Sequence, residues 1–262
     1  ALNADQIAAL TTAQVVALGS NQVFVLSSAQ VAMLESRDIV SLTTANIAAL
    51  RGVQTVGLTT DQIRALTTAQ VEAMSSAALS ALGTGQLQAL RTDQIVALTT
   101  AQLADLDADQ VASLKTSQVA ALQSRDLGAI QSSVVSAMTT AQVNVLSTQQ
   151  VVGWTTAQIR ALTASQVAAL TTQALAQLTT EQAATLSSSQ LNAWTAAQFA
   201  AMTTAQAQAI PVATLKNIAT ATLAGLTTAQ VQALTTGQVQ ALVATQVPHL
   251  LTTQVRSEEH TS

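Results

Sequence analysis

Apolar side chains recur along this chain every eight residues. Counting octads from Asn3, the eighth position falls on Leu10, Leu18, Leu26 and onward to Leu250, and all 31 occupants are apolar. The fifth position, beginning Ile7, Val15 and Val23, is apolar with the single exception of Thr55. Position 7 is usually Ala, small enough for a backbone packed close to a neighbour. Position 6 accepts Val16, Phe24, Arg64, Glu72, Gln88 and Lys216, the variety of a site that faces solvent. Two polar positions are held almost as firmly as the core. Position 4 is Gln in 23 of the 31 octads, and position 2 is Ser or Thr in 24. No insertion or deletion breaks the register, so residues 3–250 read as one uninterrupted array, with 251–255 opening a further repeat.

Helix capping gives the polar positions a physical reason. In the octad Thr155–Leu162, TTAQIRAL, a hydroxyl stands three residues before a Gln, just ahead of an apolar run. That is the capping box, in which side chain and backbone satisfy each other's orphan groups. Thr155 with Gln158 and Thr227 with Gln230 are expected to act as such caps. Trp154 before the cap would meet Ile159 as a hydrophobic staple, and Val151, Trp154, Ile159 and Leu162 are expected core. Acidic residues at position 3, such as Asp5, Asp61, Asp93 and Glu181, would lie in the first turn, where the helix dipole favours them. Glu35, Arg51, Lys115 and Gln123 at position 1 cap poorly, which leaves position 2 as the alternative cap.

A continuous helix is excluded, because eight residues at about 100° each rotate the apolar stripe by roughly 80° per octad. A strand would point positions 5 and 8 to opposite faces, and Ala, Gln and Leu are poor strand formers, so a β-solenoid is the lesser alternative. The pattern predicts an all-α solenoid with one short helix per octad, each held by its neighbours. No longer period of two, three or four octads is present in the Gly, charged or aromatic substitutions.

Composition narrows the functional classes. Charged residues make up 8% of the chain and the net charge is −4, so there is no basic stripe for a nucleic acid. Cys is absent, which removes disulfides and thiolate metal sites. No apolar run is long enough to span a membrane. The chain opens on Ala1 in mid-repeat without an initiating Met or signal peptide, and is expected to be an internal fragment. With His249 the one histidine before the tail and no Tyr, no catalytic constellation is expected, and no cofactor; the chain reads as a non-enzyme.

Asp105, Asp107 and Asp109 form the densest carboxylate cluster and resemble half of a calcium loop. Gln110 and Thr116 stand where that loop needs Gly and a bidentate acid, so corner and first-turn acids are the stronger reading. Trp154, Trp194 and Phe199 are expected to fill core space rather than line a ligand groove. Residues 211–226 lose both glutamines and most corner hydroxyls and are the expected soft spot; Pro248 would disturb the last complete octad. Glycine-bearing octads at Gly19, Gly52 and Gly83 are expected to have altered corners. Residues 256–262, RSEEHTS, abandon the pattern and resemble a translated sequencing adapter, a non-native tail.

The Thr-Thr-Ala-Gln octads resemble the LTTxQ-type arrays of large, repetitive bacterial proteins of adhesin-like or haemolysin-like character. The resemblance covers Asn3–Val255 and implies a stalk or spacer in a surface or secreted, extracellular protein, joined to flanking repeats or domains of the same polypeptide. It transfers no functional residue. A cytoplasmic protein-interaction scaffold is the alternative, as is an ordered Thr/Gln surface that binds ice, a glycan or another repeated protein surface.

Overall fold

A computed structural model of the chain describes residues 3–248. Over these residues every octad from Asn3 to Leu242 forms one short helix of four to six residues, from α1 (Ala4–Ala8) to α30 (Thr236–Ala241), and no strand is present among the described residues. The chain divides into two compact units, Ala1–Ala137 and Met138–Ser262. Each is an all-α solenoid. His249, Leu250, the expected partial repeat at 251–255 and the tail at 256–262 lie outside the described residues.

The helix starts at position 2 because position 1 is the cap. Thr155 has extended backbone (φ −73°, ψ 158°) and its hydroxyl accepts from the Gln158 N–H at 3.2 Å, while Gln158 Oε1 accepts from the Thr155 N–H at 2.8 Å. The same box is closed by Thr227 and Gln230. The question between positions 1 and 2 is thereby decided for position 1.

Helices end without a left-handed residue, since no residue has positive φ among those described. In α20 (Thr156–Ala161), Leu162 turns extended (φ −59°, ψ 138°), and the extended cap Thr163 follows it (φ −69°, ψ 159°). Two consecutive extended residues make the corner, a conformation open to any L-residue. Glycine is therefore not needed there. Gly19 caps with φ −78° and ψ 159°, the values of a threonine cap, so the expected change of corner at the glycine octads does not occur.

Helices stack three octads apart: α9 (Thr68–Ala73) lies between α6 (Thr44–Ala48) and α12 (Thr92–Val96) in the first unit, and α23 (Thr180–Ala184) packs on α26 (Thr204–Ala209) in the second. Hydrogen bonds from position 4 reach residues 28 and 31 positions earlier, in the fourth octad back. A coil therefore takes between three and four octads, and each helix begins above the end of one helix and continues over the next. Positions 5 and 8 fill the interior: Ile63, Val71, Ile95 and Leu103 are fully buried in the first unit, and Val151, Leu175, Leu191 and Phe199 in the second. Position 7 sits against the coil below. A methyl group on Gly57 would collide with the Ser28 carbonyl oxygen, which is why this octad carries Gly where most carry Ala.

Candidate functional site

The most built feature of the molecule is the column of position-4 glutamines. Gln94 is fully buried. Its Oε1 accepts from the Arg91 N–H at 2.7 Å, closing the start of its own helix. Its Nε2 donates to the carbonyls of Ile63 (2.9 Å) and Leu66 (2.7 Å), which are orphan groups at the end of a helix in the coil below. One amide thus caps a helix N-terminus and a helix C-terminus at once. Gln62, Gln70, Gln102 and Gln118 repeat the arrangement in the first unit, and Gln190, Gln206, Gln230 and Gln238 in the second.

The second half of this role was missed in the sequence, where the glutamine served only as the partner of a cap. The signal was present. Gly83, Arg91 and Lys115 supply no side-chain acceptor at position 1, yet Gln86, Gln94 and Gln118 follow and still accept from the backbone N–H at 2.7–2.8 Å. A glutamine kept where its hydroxyl partner is gone has another employment. It is an amide bridge between coils rather than a surface group awaiting a ligand.

Burial of the glutamines comes from the coil beneath. Gln6, Gln14 and Gln22 have the same cap bonds as the rest but no coil precedes them among the described residues, and they are exposed. Leu10, Leu18 and Leu26 are likewise only half-buried, whereas later position-8 residues such as Leu66 and Leu98 are buried.

Asp107 is the N-cap of α14 (Ala108–Ser113), accepting from the Gln110 N–H at 2.8 Å; Asp109 lies in the first turn of that helix and Asp105 ends α13 (Thr100–Ala104). All three are exposed, and no group of three or more metal-ligating side chains occurs among the described residues. Trp154 and Trp194 are buried with unpartnered Nε1 groups, and Trp194 meets Phe199 edge-on at 5.4 Å. Ile159 and Leu162 are buried beside them in sequence. Phe24 is half-exposed under the Arg51 guanidinium, 4.5 Å from the ring centre. An open cleft of about 390 Å3 is lined by Glu72, Val96, Leu98, Thr100 and Arg125, and the Arg125 guanidinium is paired with buried Asp126 at 3.3 Å. Asp93 is held below the ordinary Asp value of 3.8, first by its hydrogen bond from Arg91.

In the soft spot expected at 211–226, α27 (Val212–Leu215) and α28 (Thr220–Leu223) have four residues each and no side-chain cap, yet Leu215, Ile218, Leu223 and Leu226 remain buried. Gln246 still donates to Ile218 O at 2.8 Å two residues before Pro248, so the bridge survives that proline. No helix among the described residues is long and apolar enough to cross a membrane.

The ALTTAQ repeat family matches residues 1–36, 31–68, 65–100, 92–124, 119–156 and 213–244. The chain belongs to that family, as the LTTxQ-type resemblance implied. A comparison with curated proteins finds no match.

Proposed function

We propose that this ALTTAQ-repeat chain is a stalk or spacer segment of a large bacterial surface or secreted protein, contributing length and stiffness and no chemistry of its own. The observation that carries the reading is the glutamine bridge. The polar side chain most often repeated at one octad position is spent on holding one coil to the next, as Gln94 is on Ile63 and Leu66. Such an array grows by adding octads, and its stability is a sum of nearest-neighbour terms. Each coil adds on the order of 9 Å, the separation of packed helices. Hydroxyls at position 1, which a binding surface would need free, are occupied as helix caps at Thr59, Thr99 and Thr179.

The test uses the full reading frame in its own cell. Deleting seven octads, about two coils, should shorten the distance between flanking modules by on the order of 20 Å, and a tag placed at an exposed position 6 should be cut by protease added outside intact cells. An unchanged distance would sink the spacer reading. A tag cut only after lysis would move the protein inside the cell and favour the scaffold.

A further inference from the structure

The glutamine column is interrupted in a regular way. Asp38 and Asn46 occupy position 4 in two consecutive octads, Asp126 and Val134 do so eleven octads later, and Thr214 and Thr222 after eleven more. Ala78 and Ala174 also replace glutamine, but singly, with Gln70 and Gln86 still donating on either side of the first. Only at the pairs do two successive octads lack a glutamine at position 4.

What replaces the bridge differs each time, and at the second and third pairs it lies on the exposed rim. At the first pair, the Thr12 hydroxyl donates to Asp38 at 2.8 Å and Asn46 Nδ2 keeps one carbonyl, Leu18 O, at 2.9 Å. At the second, no side chain among the described residues donates to the carbonyls of Ile95, Leu98, Leu103 or Leu106. Gln131 Nε2 reaches Ala104 O at 2.9 Å and Gln123 Nε2 reaches Val96 O at 3.5 Å, both on the exposed rim. At the third, exposed Asn192 accepts from the Ala219 N–H at 2.8 Å and donates to Asn217 O at 3.3 Å. Water competes with rim bonds in a way it cannot compete with a buried amide between two carbonyls. Arg stands at position 3 only before Asp38 and Asp126, where it faces the carboxylate that the missing amide leaves behind.

We infer that these paired gaps are opening seams that divide the array into blocks of eleven octads, each block holding together while the seam between blocks parts. In a one-dimensional array the cooperative units end where the nearest-neighbour term is weakest. The boundary between the two compact units, after Ala137, falls immediately beyond the second pair. Core packing continues through the seams, with Leu127 and Val135 fully buried, so a parted seam has the apolar surface to close again. A chain made of such blocks yields locally and reversibly instead of unravelling from one end. The inference does not depend on where the protein resides or what it joins.

Hydrogen exchange followed by mass spectrometry on the intact chain tests it. Amides of residues 123–138, interior to the chain, should exchange at least tenfold faster than those of 83–122, where the glutamines run without a gap, and residues 211–226 should behave like 123–138. Exchange of 123–138 within about threefold of 83–122 overturns the inference. A chain carrying Asp126→Gln, Val134→Gln and Arg125→Ala should bring 123–138 to the protection of its neighbours, and one carrying Gln102→Ala and Gln110→Ala should open a new fast segment over 99–114. Repaired protein that still exchanges fast at 123–138 also overturns it; should either variant fail to fold, the profile of the native chain decides alone.

Discussion

Residues 83–122 and 211–226 follow the same path with the same core periodicity, yet they are held differently. In the first stretch Gln86, Gln94, Gln102, Gln110 and Gln118 each bridge to the coil below. In the second, Thr214 and Thr222 stand in their place, Pro211 and Ala219 replace the capping residue, and the helices shrink to four residues. Leu215 and Leu223 are nonetheless as buried as Leu87 and Leu103. The difference teaches that apolar positions 5 and 8 suffice to set the course of the chain. The polar positions decide how firmly each coil is tied.

Core truncation sets the upper end of the scale. Phe199→Ala removes a fully buried ring that meets Trp194 edge-on and should cost about 3–5 kcal/mol, visible as a lower denaturation midpoint in urea. A cost under about 1 kcal/mol would mean the interior is not packed as described. Gln94→Ala takes the amide away from two buried carbonyls and one backbone N–H, leaving Leu66 O only a long bond from Arg91 Nη2 at 3.4 Å, and should cost about 3 kcal/mol, well above the roughly 1 kcal/mol of a cap alone. Thr214→Ala in the gap should cost less than about 0.5 kcal/mol. Equal effects at the two sites would remove the distinction between bridged and unbridged coils.

Gly57→Ala should cost about 1–3 kcal/mol by forcing a methyl group against the Ser28 carbonyl, whereas Gly85→Ala, with open space around it, should be neutral or slightly stabilising; thermal melts of the two variants settle the ordering. The smallest effect is electrostatic. Asp93 is exposed, and its carboxyl should titrate below 3.8 in an NMR pH series, returning toward the ordinary value in Arg91→Ala. Because the folded value is the lowered one, the stability this pair adds is present above the unfolded Asp titration and fades as pH falls through the folded value. At an exposed site salt should screen most of it. A titration in Arg91→Ala that stays low would point to the Gln94 and Asp93 backbone bonds instead.

Much of this architecture was legible in the residues. The capping box at Thr155 and Gln158 could be read because it is local: both partners lie in one turn, three residues apart. Helix length followed from the drift of the apolar stripe, another local property. The rank of the Asp105, Asp107 and Asp109 carboxylates as cap, corner and first-turn groups followed from their octad positions.

The number of octads per coil and the second role of the glutamines were decided only by the tertiary structure. Both depend on residues about 28 positions apart, and nothing in an octad records which octad will lie beneath it. Gln22 and Gln94 make the same bond to their own helix start, 2.8 and 2.7 Å from Oε1 to the backbone nitrogen. One is exposed and the other fully buried, because only Gln94 has a coil beneath it to receive its amide. Local chemistry wrote the helix and its cap into every octad, while the distance between coils, set by how Ala and Gly at position 7 meet the backbone below, turned a capping residue into the tie between coils.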